Sequence, residues 1–402
     1  MRACGVIVEY NPFHNGHLYH LEQSKQEADA ECMIAIMSGQ FLQRGEPAII
    51  DKWHRTEAAL KKGVDLVLEL PYIYAVEHSD HFSKGAVRTL SEMGVKSLCF
   101  GSEHGEIHAF EKAYCHLKQH QATYDLAVRT HLNEGYAYPE ASRKAYEEIN
   151  LPSDSIDLTQ PNNILGYSYV KEVLTYDPNM TPLTIKRTAN NYHDETILGH
   201  IASATSIRKQ MKQYGLSQPA REALPDSTVE QLLSYQRKND DWHDWEHYFH
   251  LLHYKILTMS CDELRSIHGV DEGLEHRLKR TIKQATSFES FMNALKTKRY
   301  TWTRLQRTLV HILIGTKKSL AQQLLHDERP PYARVLGMTD TGRQYLKEQK
   351  KKMNIPLITQ PQQLDHPMLE LEERASVSYY SILKAEKRVA CLKREYGAPV
   401  MH

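Results

Sequence analysis

Gly5-Val-Ile-Val-Glu-Tyr-Asn-Pro-Phe-His-Asn-Gly-His17 is the stretch on which the reading of the whole chain turns. It begins inside a short apolar run, Ala3–Val8, which predicts a strand. Pro12 stiffens the turn that follows. Gly16–Ala28 then reads as a helix. A helix start offers free backbone N–H groups and the positive end of a dipole, a setting suited to phosphate. Gly16 lets a ligand come close to the backbone. His14 and His17 sit three residues apart and so lie near each other on the first turn. There they can donate hydrogen bonds to charge that develops as pyrophosphate leaves. By itself the pattern also fits a surface turn that holds two histidines. Its position after the first strand of a βαβ unit favours the phosphate site.

Outward from this turn, short apolar runs alternate with amphipathic ones. Cys32–Met37, Leu66–Leu70 and Ser97–Phe100 read as strands, and Lys52–Lys62 and Asp80–Met93 as the helices between them, the second capped by Asp80. Strands of this composition are buried on both faces, which predicts a Rossmann-like α/β domain with a doubly wound parallel sheet. Ligands of such sheets sit at the carboxyl ends of the strands. That rim holds Glu9–His17, Ser38–Gln43, Pro71–Tyr74 and Gly101–His104. Residues 106–180 look helical, apart from a Pro152–Asn163 loop, and Leu183–Arg187 reads as a fifth strand. Asn190–His200 reads as a loop and Thr205–Tyr214 as a helix. Beyond Pro219 the spacing is helical: Ala223–Tyr235, Tyr248–Thr258, Val270–Gln284, Ser287–Leu295, Thr301–Ile314 and Leu369–Lys387. Arg334–Gly337 with Thr339–Gln349 reads as a small turn-and-helix unit.

Length and charge bound the function. A chain of 402 residues exceeds one ordinary core and suggests a division into 1–217 and 218–402. With 41% hydrophobic and 25% charged residues, the composition is that of a globular protein. No apolar run approaches the roughly 20 residues of a membrane span. Met1-Arg2-Ala3-Cys4 runs straight into the first strand without a signal peptide, so a cytoplasmic location is expected. The six cysteines are far apart and read as buried reduced thiols. Net charge is zero, yet residues 221–402 hold 29 Lys+Arg against 23 Asp+Glu, which leaves 21 against 27 for residues 1–220. A basic half joined to an acidic half points to a polyanionic partner for the basic one.

Two further elements carry chemistry. In Ile201-Ala-Ser-Ala-Thr-Ser-Ile-Arg208, hydroxyl residues open a helix and Arg208 follows one turn on, a second phosphate clamp. Such caps are common, and alone this one is ambiguous. Lys186-Arg187-Thr188 ends the fifth strand and alone would be a solvated strand end. Between His276 and Lys318 there are eleven Lys/Arg and one acid, Glu289, with Tyr300 and Trp302 among them. This fits either a nucleic-acid face with stacking aromatics or a solvated helix face over a core. His78 and His81 read as polar residues rather than metal ligands, and no histidine group has metal spacing. Trp242-His-Asp-Trp245 reads as packing between helices, and Lys347–Lys352 as a basic helix end, either solvated or a further contact to a nucleic acid.

Together the HxGH turn, Lys186-Arg187-Thr188 and Ser203–Arg208 resemble the HIGH-type nucleotidylyltransferase superfamily. The chain departs from that pattern at Ala204, where a hydroxyl is usual, while Ser203, Thr205 and Arg208 remain. The likeness narrows with Met37-Ser-Gly-Gln-Phe-Leu-Gln-Arg-Gly-Glu-Pro-Ala48, Asp65-Leu-Val-Leu-Glu-Leu-Pro71, Phe100-Gly-Ser-Glu103 and Lys298-Arg-Tyr-Thr-Trp-Thr-Arg304. With Gly5–His17 these are similar to the bacterial tRNA(Met) cytidine acetate ligase family, over nearly the full chain. The resemblance implies that acetate and ATP form acetyl-adenylate, and magnesium is expected to ride on the pyrophosphate. The acetyl group then passes to the wobble cytidine of elongator tRNA(Met), giving N4-acetylcytidine. It implies catalytic roles for His14, His17 and Arg208. It places ATP on Ile7, Val8, Glu9, Tyr10, Asn11, Pro12, Phe13, His14, Asn15, Gly16, His17, Leu18, Tyr19 and His20. Gly101, Ser102, Asn162, Arg187, Thr188, Ser203 and Thr205 complete that site. Read from the residues alone, Asn162 would be a loop cap. Within the resemblance, Arg277, Arg280, Lys298, Arg299, Arg304 and Arg307 become the tRNA-binding residues, and Ser38–Arg44 a loop near the acyl pocket. The alternatives are a nucleotidylyltransferase acting on a small molecule and a non-catalytic tRNA-binding protein. The number of copies in an assembly stays open.

Overall fold

The parallel strands read from the sequence form the middle of one eight-stranded sheet. A computed structural model describes residues 1–152, 156–187 and 202–402; Thr188 and the Asn190–His200 loop fall outside them. Strands β1 (Ala3–Val8), β2 (Cys32–Ser38), β3 (Leu66–Leu70), β4 (Ser97–Ser102) and β5 (Thr181–Lys186) lie in the order β5-β4-β1-β2-β3, all parallel. Side chains alternate between two cores. In β2, Cys32, Ile34 and Ile36 enter one cluster, while Met33, Ala35 and Met37 enter the other. Burial of both faces explains why the strands read as unbroken apolar runs.

The order reverses about β1. Chain elements β4 and β5 leave to one side of it, β2 and β3 to the other. The crevice at the carboxyl ends therefore opens above β1, where helix α1 (Asn15–Glu27) begins. Helix α2 (Lys52–Leu60) follows β2, with Asp51 capping it by accepting from the His54 N–H at 2.9 Å. His78, rather than Asp80, is the cap position of the Ser79–Glu92 helix, and Asp80 lies in its first turn. A helix begins at Pro161 and takes in Asn162 and Asn163, which the sequence places at the end of a loop.

Residues 218–402 are mainly helical, as read, but they do not form a separate core. Arg334–Gly337, read as a turn, belongs to strand β6 (Ala333–Met338), which pairs antiparallel with β3. Strands β7 (Leu357–Ile358) and β8 (Val400–Met401) pair with β6. The largest apolar cluster holds Leu68 and Phe100 together with Val335, Leu309 and Tyr379. The sheet and its core thus run across the division expected at residue 217.

Buried charge fastens this return. Lys52 Nζ lies 2.5 Å from Glu69 Oε1 and 2.7 Å from Glu395 Oε2. Arg334 Nη1 lies 2.7 Å from Glu69 Oε2, and its Nη2 donates to the Glu395 carbonyl at 2.8 Å. Trp53 Nε1 donates to Glu395 Oε1 at 3.1 Å. Removing one member would leave an uncompensated buried charge, which typically costs about 3–5 kcal/mol. The Trp242–Trp245 segment packs between helices, as read: the Trp245 ring stacks on Phe288 at 4.7 Å between centroids. All six cysteines are free, with Cys4, Cys32 and Cys99 buried in strands. Among the described residues no helix is long and apolar enough to cross a membrane.

Candidate active site

Above β1 a cavity of about 280 Å³ is bounded by the first turn of α1, the ends of β4 and β5, and the start of the Ala204–Tyr214 helix. Its walls include Ile7, Val8, Glu9, Tyr10, Asn11, His14, Gly16, His17, Tyr19 and His20 from the opening motif. Gly101, Asn162, Arg187, Ser203, Thr205 and Arg208 also line it. The chain thus brings together elements separated by almost two hundred residues.

The two histidines cap their own helix. His14 Nδ1 accepts from the His17 N–H at 3.3 Å, and His17 Nδ1 accepts from the His14 N–H at 3.3 Å. This is a capping box built from imidazoles. The rings stack with centroids 3.7 Å apart. A neutral imidazole that accepts at Nδ1 carries its proton on Nε2. Each ring is therefore fixed in the tautomer that donates from Nε2. Burial pushes His14 down to about 3, and the charges of Arg187 and Arg208 add to this. His17 is held well below the usual imidazole range by burial, His14 and Arg187, with a hydrogen bond to the Pro12 carbonyl opposing. His20 falls to about 4 through burial and Arg187. At neutral pH the rings are neutral, so His14 can donate from Nε2 beside the guanidinium groups, while the single N–H of His17 is shared with the Pro12 carbonyl.

Arg208 is held from two sides. Its Nη1 donates to the Asn11 carbonyl and its Nη2 to Glu46 Oε2, both at 2.8 Å. Ser203 caps the Ala204–Tyr214 helix by accepting from the Ser206 N–H at 3.1 Å, so the missing hydroxyl at Ala204 leaves the cap intact. Asn162 is held by Glu103, whose Oε1 accepts from its side-chain amide at 2.6 Å and its backbone N–H at 3.2 Å.

Five described residues of the expected ATP set support the framework around the cavity rather than line it. Pro12 joins Asn11 through a cis peptide bond. Phe13 meets the Tyr10 ring edge-on at 4.5 Å, and its carbonyl accepts from the Thr228 hydroxyl at 2.7 Å. Asn15 donates to the Glu222 and Ala223 carbonyls at 2.8 and 3.0 Å. Leu18 packs on the core. Ser102 Oγ lies 2.8 Å from Thr184 Oγ1 and accepts from the Gly105 N–H at 2.9 Å. Conversely, Phe82, Leu165 and Tyr169 line the cavity without having been singled out. They lie on helices whose apolar residues resemble any others until the helices are placed. Gln43, Arg44 and Glu46, from the segment after β2, line it too.

The basic segment divides by role. Arg280, Lys298 and Arg299 are exposed, the last paired with Glu272 at 2.8 Å. Arg277 donates to the Leu295 and Ala294 carbonyls at 2.7 and 2.6 Å and so caps the Phe288–Leu295 helix. The Arg304 guanidinium lies 4.9 Å over the Tyr300 ring. Tyr300 is buried and Trp302 packs partly buried against the core, so Tyr300 is a packing residue rather than a free stacking platform. Arg307 turns inward and donates to the Gln43 carbonyl at 3.3 Å. Nearby, Glu77, His268 and His311 converge, their ligating atoms within 4.8 Å of one another. His268 hydrogen-bonds Glu77, and His311 Nδ1 meets the Tyr72 hydroxyl at 2.6 Å. Burial would raise Glu77, but the hydrogen bond and charge of His268 outweigh it and hold the carboxyl near 2. His78 and His81, 4.6 Å apart between centroids, lie outside this trio.

The HxGH turn opens at the switch point of a doubly wound sheet, and the HIGH Nucleotidyl Transferase family model matches residues 1–394. The tRNA(Met) cytidine acetate ligase of Oceanobacillus iheyensis is 50% identical over 402 residues, covering 100% of both chains. That of Bacillus subtilis is 44% identical, covering 100% of this chain and 98% of its own. The chain belongs to the HIGH nucleotidyl transferase family and, within it, to the tRNA(Met) cytidine acetate ligases. The crystal structure of Thermotoga maritima TmcAL in apo form I superposes with a TM-score of 0.91 at 32% identity, covering 100% of this chain and 99% of that one. The same protein bound with alpha-thio ATP gives 0.91 at 31% over the same shares.

Proposed function

We propose that this chain is an ATP-dependent, cytoplasmic tRNA-modifying ligase that activates acetate as acetyl-adenylate. It then acetylates the wobble cytidine of elongator tRNA(Met) at N4. The observation that carries this reading is the His14–His17 pair, stacked and neutral at the start of α1, in one cavity with Arg208 and Arg187. An acetate oxygen bonds to the α-phosphorus of ATP while the bond to the bridging pyrophosphate oxygen breaks. The negative charge that shifts to the leaving group meets the imidazole N–H donors, the guanidinium groups and the N-termini of two helices. No proton need move in this step. Magnesium enters as the counter-ion of the polyphosphate, a part of the substrate. Gly101 and Asn162 hold the nucleoside side.

In the second step the exocyclic amine of cytidine attacks the acyl carbon. The acyl–oxygen bond to phosphorus breaks, AMP leaves, and the amine sheds a proton. A mixed anhydride suits so weak a nucleophile. Arg280, Lys298 and Arg299 supply attraction to the tRNA backbone. Incubation with ATP, labelled acetate and unmodified tRNA tests the reading: label enters tRNA. Label in a small-molecule product instead would move the chain to the small-molecule nucleotidylyltransferases. Absence of ATP turnover under those conditions would leave a tRNA-binding protein.

A further inference from the structure

The Pro161–Tyr176 helix brings Asn162 to the wall of the cavity. The donors at its N-terminus are all accounted for. Its first residue is a proline and has no N–H. The Asn162 and Asn163 N–H groups donate to Glu103 Oε1 and Oε2, at 3.2 and 2.8 Å. The Ile164 N–H donates to the Gln160 carbonyl at 3.0 Å. Gln160, at the cap position, supplies no side-chain bond. Glu103 therefore caps this helix from the loop after β4, and the helix start keeps no backbone donor for a phosphate.

The clamp is reciprocal. Asn163 is buried, and its Oδ1 accepts from the Glu103 and His104 N–H groups at 3.1 and 3.2 Å. Its Nδ2 donates to the Asp157 carbonyl at 3.0 Å. Glu103 is thus held through its backbone as well as its side chain. The carboxylate makes one more bond: Oε1 accepts from Asn162 Nδ2 at 2.6 Å. A carboxylate accepts and does not donate, so the nitrogen of the Asn162 amide faces Glu103 and the oxygen faces away from it. Asn162 Oδ1 has no hydrogen-bond partner among the described residues, and it is not sealed from solvent. Asn162 lines the cavity, while Glu103 stands behind that wall.

We infer that Glu103 is a positioning residue that turns Asn162 so that its Oδ1 is the acceptor offered to the nucleoside, and that the site selects a nucleotide with a donor there. This rests on the proposed use of ATP and deepens it. The donor is an N–H of the base or an O–H of the sugar: adenine carries a 6-amine, and ribose carries 2′- and 3′-hydroxyls. Without the Glu103 carboxylate nothing distinguishes the two ends of the amide, and Asn162 is free to turn its N–H₂ toward the cavity. A pocket built to hydrogen-bond one group rejects an analogue that lacks it, because its own polar atom is then left unpaired.

The test is calorimetric binding of ATP, 2′-deoxy-ATP, 3′-deoxy-ATP and the triphosphate of purine riboside, which lacks only the 6-amine. In wild type one of the three analogues should bind about 5- to 100-fold more weakly than ATP, the range for leaving one polar group unpaired, and its identity names the donor. Glu103→Gln keeps the size of the side chain but sets an N–H₂ where an oxygen accepted, so that selectivity should shrink to within about twofold. Asn162→Ala, which leaves both backbone bonds to Glu103 in place, should lose it as well. Glu103→Gln combined with Asn162→Asp exchanges donor and acceptor, leaves an Asp oxygen for the cavity, and should regain it. A purely structural role for Glu103 would lower the melting temperature or the active fraction and leave the ratio of Kd values unchanged. Equal binding of ATP and all three analogues in wild type would overturn the acceptor. Wild-type selectivity in Glu103→Gln, or a double variant no more selective than the single one, would overturn the role of Glu103. Selective binding of ATP without acetate-dependent exchange of pyrophosphate would overturn the proposed activity instead, which keeps the two failures apart.

Discussion

Replacing His14 separates two duties that the structure assigns to one side chain. As the cap of α1, His14 has extended backbone (φ −116, ψ 171) and accepts from the His17 N–H. As a ring, it presents Nε2–H to the cavity. Asparagine is among the best cap residues, so His14→Asn keeps the first duty and loses the second; His14→Ala loses both. The stacking contact with His17 at 3.7 Å disappears in either variant, so the difference between them isolates the cap. His14→Ala should be less stable than His14→Asn by about 1 kcal/mol in urea unfolding. Pyrophosphate exchange should fall in both by about 10²- to 10³-fold, the usual loss for one preorganised donor at a developing charge. Two results would refute the reasoning: exchange in His14→Asn within about threefold of wild type, or losses of rate that track losses of stability.

The remaining predictions address the support and the surroundings of the site. Gly45→Ala places a Cβ in the left-handed region, within the Phe41–Pro47 hairpin and against the Gln306–Arg307 backbone, so it should destabilise the fold by about 2–4 kcal/mol; a variant that melts with wild type would show that the hairpin seat is loose. His14, held near 3, should stay neutral through pH 5 in an NMR titration of ring-labelled histidine. The unfolded chain takes that proton near 6.5 and the folded chain does not, so His14 withdraws stability as pH falls from about 6.5 toward 3; a midpoint between 6 and 7 in the ligand-free protein would contradict the burial argument. Arg280→Ala with Lys298→Ala should weaken tRNA binding, flatten its salt dependence by about two ion equivalents, and spare pyrophosphate exchange; equal loss of both activities would mark a folding defect.

The parts of this fold that could be read from sequence are those whose cause is local. The β1 turn, the parallel strands and the cap at Ser203 each follow from residues within one element and its neighbours. Strand β6 does not. Arg334 interrupts its apolar run, and only Glu69 and Glu395, far away in sequence, make a buried guanidinium acceptable there. The same holds in the site. The histidine pair declares itself through spacing, and so does the hydroxyl–arginine clamp. The carboxylate Glu103, which fixes Asn162, and the packing role of Tyr300 depend on elements that meet only after folding. Leu165 and Tyr169 look like ordinary helix residues until the Pro161–Tyr176 helix crosses β4.

That β6 was hidden matters for the site, because the return of the chain to the sheet seats the Trp302–Ile314 helix against the hairpin that borders the cavity. The Trp302–Ile314 helix meets the Phe41–Pro47 hairpin through backbone contact at Gly45 and through the bond from Arg307 to the Gln43 carbonyl. Gln43 in turn holds Glu9 at the end of β1. The helix that carries Arg304 therefore shares one rigid support with the Arg44 guanidinium. Such a joint has little room to slide, since the space beside Gly45 does not admit a methyl group. A polyanion that draws on Arg304 must act on the same body that positions the Arg44 side of the cavity. The expected consequence is reciprocal: whatever tightens the hairpin, a bound ligand included, should also tighten the tRNA face. Saturating acetate with a non-hydrolysable ATP analogue should lower the Kd for tRNA. The Arg307→Ala variant, in which the link to Gln43 is cut, should lose that dependence while keeping most of its affinity in the absence of acetate. Equal coupling in wild type and Arg307→Ala would show that the two sites communicate by another path or not at all.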